Sequence, residues 1–371
     1  MRLPDILVYA DIHHLSRIAQ EYDLQVNLHS KNDLLQSLLQ QIFNPHEMKE
    51  RLERLTPAER SFLLLLLAEE RKGYTLEELT HRAKLVVQSD SEGRKVLMKG
   101  GIGEESIVEK ILRYGWVYNR KERNVSIYRI PEDLKEMLVA SIIPRFQETS
   151  GQMGFSVKKV RTERFEVPNG QQIPMSIHDL FRFLRFVKEE WVQLTLDGVI
   201  HKRLQGILFR QLSTGESPLT ERGWRFGYGR RFRDYPDLFS LLYDYAFARG
   251  WIEEKPGVLL LSESGNRLLA GEEQVTPKDL FAFWVSLYRR PIPNLPSLLS
   301  LIKLLTKEGF WEEELYRQLE PFISPFYYDN KEKIFQKRVL APLLWMEGLE
   351  VIRREGIQML RLSSLWGRWY G

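Results

Sequence analysis

Between Arg222 and Arg233 the chain reads Arg-Gly-Trp-Arg-Phe-Gly-Tyr-Gly-Arg-Arg-Phe-Arg. Few other residue mixtures suit a nucleic acid so well. Arg222, Arg225, Arg230, Arg231 and Arg233 would offer forked donors to phosphate oxygens, and the rings of Trp224 and Tyr228 would offer faces for bases to stack on. The interleaved glycines let a backbone approach a ligand closely. The alternative is a surface loop whose Trp and Phe rings anchor it to the core while its arginines are merely solvated.

A second group lies upstream, where His201-Lys202-Arg203 and Arg210 fall on a helix expected after Gly198. In a helix-turn-helix arrangement Lys202, Arg203 and Arg210 would meet phosphates, with no support for base reading. The polar face of a packed helix explains them equally. A third group, Arg120-Lys121-Glu122-Arg123, sits at an expected hairpin tip. Lys121 and Arg123 could touch a DNA backbone there, but Glu122 dilutes the charge and an ordinary charged tip is the favoured reading. Lys158, Lys159 and Arg161 add further cations. Charge distribution agrees with a phosphate-facing middle block. Residues 154–235 hold 15 Lys or Arg against 9 Asp or Glu, whereas residues 1–50 hold 4 against 7 and residues 236–371 hold 17 against 18.

Catalytic patterns are poor by comparison. The 7 histidines show no metal-ligand spacing, and the absence of cysteine removes thiolate nucleophiles and thiolate metal sites. No Gly-x-Ser-x-Gly elbow occurs. The nearest glycine cluster to a phosphate loop, Lys99-Gly-Gly-Ile-Gly103, is followed by Glu104-Glu105 where a lysine and a hydroxyl are required. Glu163 and Glu166 near Lys158-Lys159 make a distant nuclease alternative. The expectation is a protein that is not an enzyme and takes no metal or small-molecule cofactor.

The elements that would position these groups are mostly helical. At 371 residues the chain has room for two to four domains, and 43% hydrophobic against 28% charged residues allows real cores. The longest apolar run, Phe62–Ala68, is too short to span a bilayer, and Met1–Asp11 lacks the basic start of a signal peptide. With no cysteine, this suits the reducing cytoplasm and no membrane partner.

Two apolar helical patterns, Leu15 to Tyr22 and Leu34 to Ile42, flank a short link, with Ser30 capping the second. Thr56-Pro57 opens a buried helix that Gly73 should end, and Thr75-Leu-Glu-Glu78 forms a capping box. A helix over 106–114, closed by Gly115, precedes two strand-like runs around a polar turn at 120–124. This ending recurs. Gly250-Trp251-Ile252 leads through a charged turn to Val258–Ser262, and Gly348-Leu349 leads through Glu355-Gly356 to Met359–Leu362. Each copy has helix, glycine, apolar strand, charged turn and return strand. Helices are also expected over 175–191 (with Ile177, Leu180, Phe181, Leu184, Val187 and Trp191 on one face), 199–212, 276–289, 297–307, 311–320 and 331–346. Trp116 and Trp251 should pack beneath their hairpins, and Trp366 should dock on the body.

The reading is therefore mainly α with short β-wings: tandem winged-helix-like modules preceded by a helical hairpin. The segments are a hairpin over 1–45, modules over 46–148, 175–275 and 276–371, and a linker over 149–174 with one strand at 155–160.

The hairpin, with its Ser30-Lys-x-x-Leu34-Leu, resembles SAP-type nucleic-acid-binding hairpins, although its acidic charge favours packing or partner binding. Asp179-Leu-Phe-Arg-Phe-Leu184 followed by Leu194-Thr-Leu-Asp-Gly198-Val-Ile-His-Lys202-Arg-Leu204 resembles the helicase-associated winged-helix domain N-terminal to bacterial XPB-like helicases. Leu238–Ala246, Gly250-Trp-Ile252, Leu259–Ser262 and Leu268-Leu269 continue the pattern in order, and Gly115-Trp-Val with Tyr128–Leu134 echoes it, so the similarity covers roughly 10–270. Without a phosphate loop, the resemblance implies a DNA-binding accessory protein with no motor, acting beside a helicase, polymerase or other nucleic-acid-processing protein. The rival is an adaptor that grips such a partner without touching nucleic acid.

Overall fold

Helix starts in this chain are written in side chains that satisfy the free N–H groups of a first turn. Thr56 and Glu59 bond each other's backbone N–H reciprocally, with Pro57 in the first helical position, and the helix Pro57–Ala68 follows. Thr75 and Glu78 repeat the device ahead of Leu76–Ser89. Thr276 and Asp279 do so ahead of Pro277–Tyr288, and Ser30 caps Lys31–Ile42. Every residue from Phe62 to Ala68 is buried, as the unbroken apolar run requires. That helix stops at Ala68; Gly73 lies beyond it, beside Tyr74, which bridges to Tyr128.

The computed structural model describes residues 2–71, 73–89, 104–122, 125–148, 173–220, 224–354 and 357–370. It is mainly helical with small antiparallel sheets. The expected linker and its strand at 155–160 lie outside the described residues.

The chain divides into two compact units. The first draws on residues 1–153, 297–305 and 313–322; the second on 154–296, 306–312 and 323–371. In the first, the helices Ile12–Glu21 and Lys31–Ile42 pair as a hairpin. The hairpin does not stand apart as 1–45. Tyr22 donates its hydroxyl to the Tyr114 carbonyl at 3.0 Å, and Arg51 lies over the Tyr22 ring at 3.7 Å and the Tyr114 ring at 5.1 Å. Residues 276–371 likewise do not form a compact body alone, since parts of that segment belong to each unit.

Among the described residues one order of elements occurs three times. The first copy runs Pro57–Ala68, the bridge residue Tyr74, Leu76–Ser89, Glu104–Arg113 and the hairpin Tyr118–Glu122/Val125–Arg129. The second runs Met175–Glu189, Val192–Gln193, Lys202–Gln211, Asp237–Ala248 and Ile252–Lys255/Val258–Leu261. The third has Pro277–Tyr288 and an extra helix Leu295–Leu305, then Phe310–Trp311, Glu312–Leu319, the helical run Lys331–Lys333, Ile334–Leu340 and Ala341–Trp345, and Leu349–Arg354/Ile357–Leu362. In each copy the short first strand or bridge pairs with the last strand, which sits between it and the second.

The hairpin is aimed by the end of the preceding helix. Gly115 (φ +64) and Gly250 (φ +70) take the left-handed conformation that ends a helix without steric penalty. The next N–H then reaches back five residues, Trp116 to Ile111 and Trp251 to Ala246. Both indoles are buried against Tyr114 and Tyr245 respectively. The third copy departs from the sequence reading. The left-handed residue is Glu347 (φ +54), and Gly348 occupies the place of the tryptophans, bonding back to Leu343. Trp366, from the last helix Leu365–Trp369, lies where a Cβ on Gly348 would be 3.1 Å from its ring. An indole from elsewhere in the chain thus fills the room that the first two copies fill locally.

Two helix boundaries also move. The helix expected over 199–212 begins at Lys202, because Gly198 (φ +72) turns the chain and Ile200 is held extended, its N–H bonded to the Tyr235 hydroxyl. The helix from Met175 ends at Glu189, so Trp191 leaves its apolar face and is exposed.

Candidate nucleic-acid interface

The loop after residue 223 is anchored from below by carboxylates. Asp244, on the helix Asp237–Ala248, accepts the backbone N–H of Arg230 at 2.7 Å and of Arg231 at 3.2 Å. A side chain on Gly229 (φ +132) would overlap that carboxylate. Burial pushes the Asp244 carboxyl up to about 6, against the lowering effect of the two N–H bonds.

The arginines expected to face phosphate are mostly used inside the fold. Arg231 gives Glu254 two bonds, at 3.2 and 2.8 Å, Arg230 gives it two more, and the Tyr243 hydroxyl adds another at 2.7 Å. Burial raises the Glu254 carboxyl, but these donors outweigh it and bring it down to about 2. Arg225 binds Asp237 at 2.5 Å and the carbonyls of Phe232 and Tyr235, with its guanidinium 4.2 Å from the Phe232 ring. Asp237 is shared with Arg338 at 2.7 Å, and Arg338 also binds Asp329 at 2.8 Å. Arg338 is 1% exposed and comes from the π-helical stretch Ile334–Leu340. Burial raises Asp237 and Asp329, but their cationic partners hold both below the usual carboxylate range.

This corrects the sequence reading in physical terms. Arg225, Arg230 and Arg231 have carboxylate partners that make phosphate binding compete with a formed ion pair. Tyr228 is 1% exposed and packs on Phe232 and Tyr288, so no base can stack on it. Only Arg233 and Trp224 of that segment remain open to solvent among its described candidates, apart from the partly exposed Arg230. Arg222 lies outside the described residues.

Elsewhere the placement is simpler. Lys202, Arg203 and Arg210 are all exposed on the helix Lys202–Gln211, while Gln205, Leu208 and Phe209 face inward. Among the described residues Lys202 donates to the Thr220 carbonyl, at 3.4 Å. Arg120 and Lys121 are exposed on their strand; Arg123 lies outside the described residues, as do Lys158, Lys159, Arg161, Glu163 and Glu166. Trp366 is buried against Phe281, in line with docking on the body.

Two features escaped sequence reasoning. Glu216 caps the helix Asp237–Ala248 by accepting the N–H groups of Leu238 at 2.8 Å and Phe239 at 2.9 Å. Desolvation carries its carboxyl up to about 7, against those two bonds. Tyr327 and Tyr328 join Trp224 and Phe226 in an exposed group of rings. The two tyrosines lie about 100 residues away from the loop in the sequence, with no pattern linking them to it.

Among the described residues no group of three or more His, Asp or Glu is placed to hold a metal, and no helix is long and apolar enough to cross a membrane. No protein-family model, curated protein or solved structure matches the chain.

Proposed function

We propose that the protein is a non-catalytic nucleic-acid-binding accessory protein built from three winged-helix-like modules, acting beside a helicase, polymerase or similar enzyme. The observation that carries this reading is the threefold recurrence of helix, short strand, two helices and hairpin, with the first strand paired to the last. That connectivity is the one by which winged helices stack a hairpin on a helix-turn-helix. The resemblance to helicase-associated domains points the same way.

The mode of binding differs from groove reading by a third helix. In the second module that helix, Asp237–Ala248, is buried from Leu238 to Ala246 and has no open face for a major groove. In the first, Lys110 of Glu104–Arg113 is tied to Glu59 at 2.7 Å. Binding falls instead to exposed cations: Lys202 and Arg203 at one end of their helix and Arg210 two turns on, about 10 Å away along the axis. Such contacts hold the phosphate backbone without reading sequence.

The test is binding of labelled single- and double-stranded DNA across a salt series, with Lys202, Arg203 and Arg210 changed together to Ala. Affinity should fall steeply with salt, and the triple variant should bind more weakly with a shallower salt slope. Absence of binding to both substrates at low salt overturns the reading. The second reading is a protein adaptor, favoured by the internal pairing of Arg225, Arg230 and Arg231.

A further inference from the structure

Four aromatic side chains from two separate segments meet at the surface of the second unit. Trp224 is 75% exposed, Phe226 41%, Tyr327 73% and Tyr328 62%. Their ring centroids lie 6.1 Å apart for Trp224 and Phe226, 6.5 Å for Trp224 and Tyr328, and 6.1 Å for Phe226 and Tyr327. Single exposed rings are ordinary on protein surfaces, whereas four in one contiguous group mark a contact surface.

The backbone is shaped to present them. Phe326 and Asp329 exchange both backbone hydrogen bonds at 3.0 Å, which leaves Tyr327 and Tyr328 as the two residues of a tight turn. Turns of this length favour glycine or asparagine at the tip. Here the tip is two tyrosines, and Tyr327 is held at φ +49, where a bulky side chain is disfavoured. Beneath the turn, Phe326 packs 4.6 Å from Tyr327 and 5.6 Å from Tyr228, and a side chain on Gly227 (φ +93) would overlap it. Local backbone preference is overridden to hold large rings in water on a rigid base.

The charges around the rings suit an anionic strand. Two carboxylates of these segments are already paired with cations, Asp234 with Arg231 and Arg233 and Asp329 with Arg338 and Lys333. Arg233, on the segment that follows Trp224, is 57% exposed, and Lys333 beside the tyrosine turn remains 38% exposed despite its pairing. Flat aromatic faces with cations on the same two segments match unpaired bases in sequence-tolerant stacking. A duplex keeps its base faces covered and offers them nothing to stack on.

We infer that Trp224, Phe226, Tyr327 and Tyr328 form a stacking platform for the bases of single-stranded nucleic acid. The inference deepens the nucleic-acid reading above and rests on it. The test compares the full-length protein with its Trp224→Ala and Tyr327→Ala/Tyr328→Ala variants, using a labelled oligothymidylate and a duplex of equal length. Thermal unfolding of each variant accompanies the binding, and Trp224→Phe serves as a variant that keeps a ring. Wild type should bind the single strand more tightly than the duplex. Each alanine variant should lose about tenfold for the single strand with duplex affinity unchanged, and Trp224→Phe should recover most of the loss. Equal binding of the single strand by wild type and alanine variants overturns the platform and leaves the phosphate-binding reading standing. Failure of wild type to bind either probe overturns both and marks the rings as a protein-docking surface.

Discussion

The second unit holds two sets of cations that look alike in sequence and differ in pairing. Arg225, Arg230 and Arg231 sit among aromatic residues in a glycine-rich loop, and each is paired with a carboxylate, Arg230 at a partly exposed position. Lys202, Arg203 and Arg210 sit on a plain amphipathic helix and stay in solvent. The difference comes from Asp237, Asp244 and Glu254, which lie between 12 and 24 residues from the arginines they hold. A cluster of arginines in sequence is thus left open to solvent only where the fold brings no acid to it.

The sharpest way to break this comparison is to remove a buried member of the structural set. Arg338→Ala leaves Asp237 and Asp329 without their shared guanidinium and should destabilise the protein by about 3–5 kcal/mol in denaturant unfolding. A loss under ~1 kcal/mol would mean the network is not holding the loop. Gly229→Ala comes next. Its side chain would displace the Asp244 carboxylate that fixes the Arg230 and Arg231 backbone, at a cost of about 1–3 kcal/mol. Unchanged stability there would show a loop that is free to move.

Acidity sharpens the comparison further. Glu216 and Asp244 hold their protons above the ordinary carboxyl range, at about 7 and 6. Their contribution is fully present below the unfolded-state values and is lost as pH rises through 6 to 7. Glu254, Asp237 and Asp329 are depressed, so theirs is present above the unfolded values and is lost as pH falls, through about 2 for Glu254. Stability should therefore peak at about pH 4 to 4.5, near the unfolded carboxyl values, and decline from there toward pH 8. Glu216→Gln should flatten the decline, and an unaltered slope in that variant would clear Glu216 of the effect. The smallest effect belongs to the solvated set. Changing Lys202, Arg203 and Arg210 together to Ala should move stability by no more than about 0.5 kcal/mol while weakening DNA binding. A larger loss of stability would place these cations with the structural set.

Much of the frame is legible in the sequence alone. Thr56-Pro57 and Thr75-Glu78 announce their helices because a cap is a local device, complete within four residues. The three hairpins were readable from a helix-ending residue, an apolar strand and a turn, and Trp116 and Trp251 pack beneath theirs as expected. The third copy shows the limit. Its glycine matches the others in the alignment of apolar residues, yet the left-handed turn falls one place earlier, at Glu347, because the docked Trp366 needs the open face of Gly348. Nothing within the hairpin encodes that ring. The short first strands, Val192–Gln193 and Phe310–Trp311, were equally hidden, being two residues long and defined only by their pairing with the last strand.

The amino-acid sequence by itself determined the helical character, the helix starts, the recurrence of the hairpins and the lack of cysteine chemistry. Each of these rests on neighbours within a few residues. Tertiary structure alone decided which arginines are bound and which are open, that Tyr228 is buried while Trp224 is not, and that Tyr327 and Tyr328 join Trp224 and Phe226 at the surface. The physical reason is that ion pairing, desolvation and ring contact depend on distance in space. Chain order does not constrain that distance beyond a turn or two of helix.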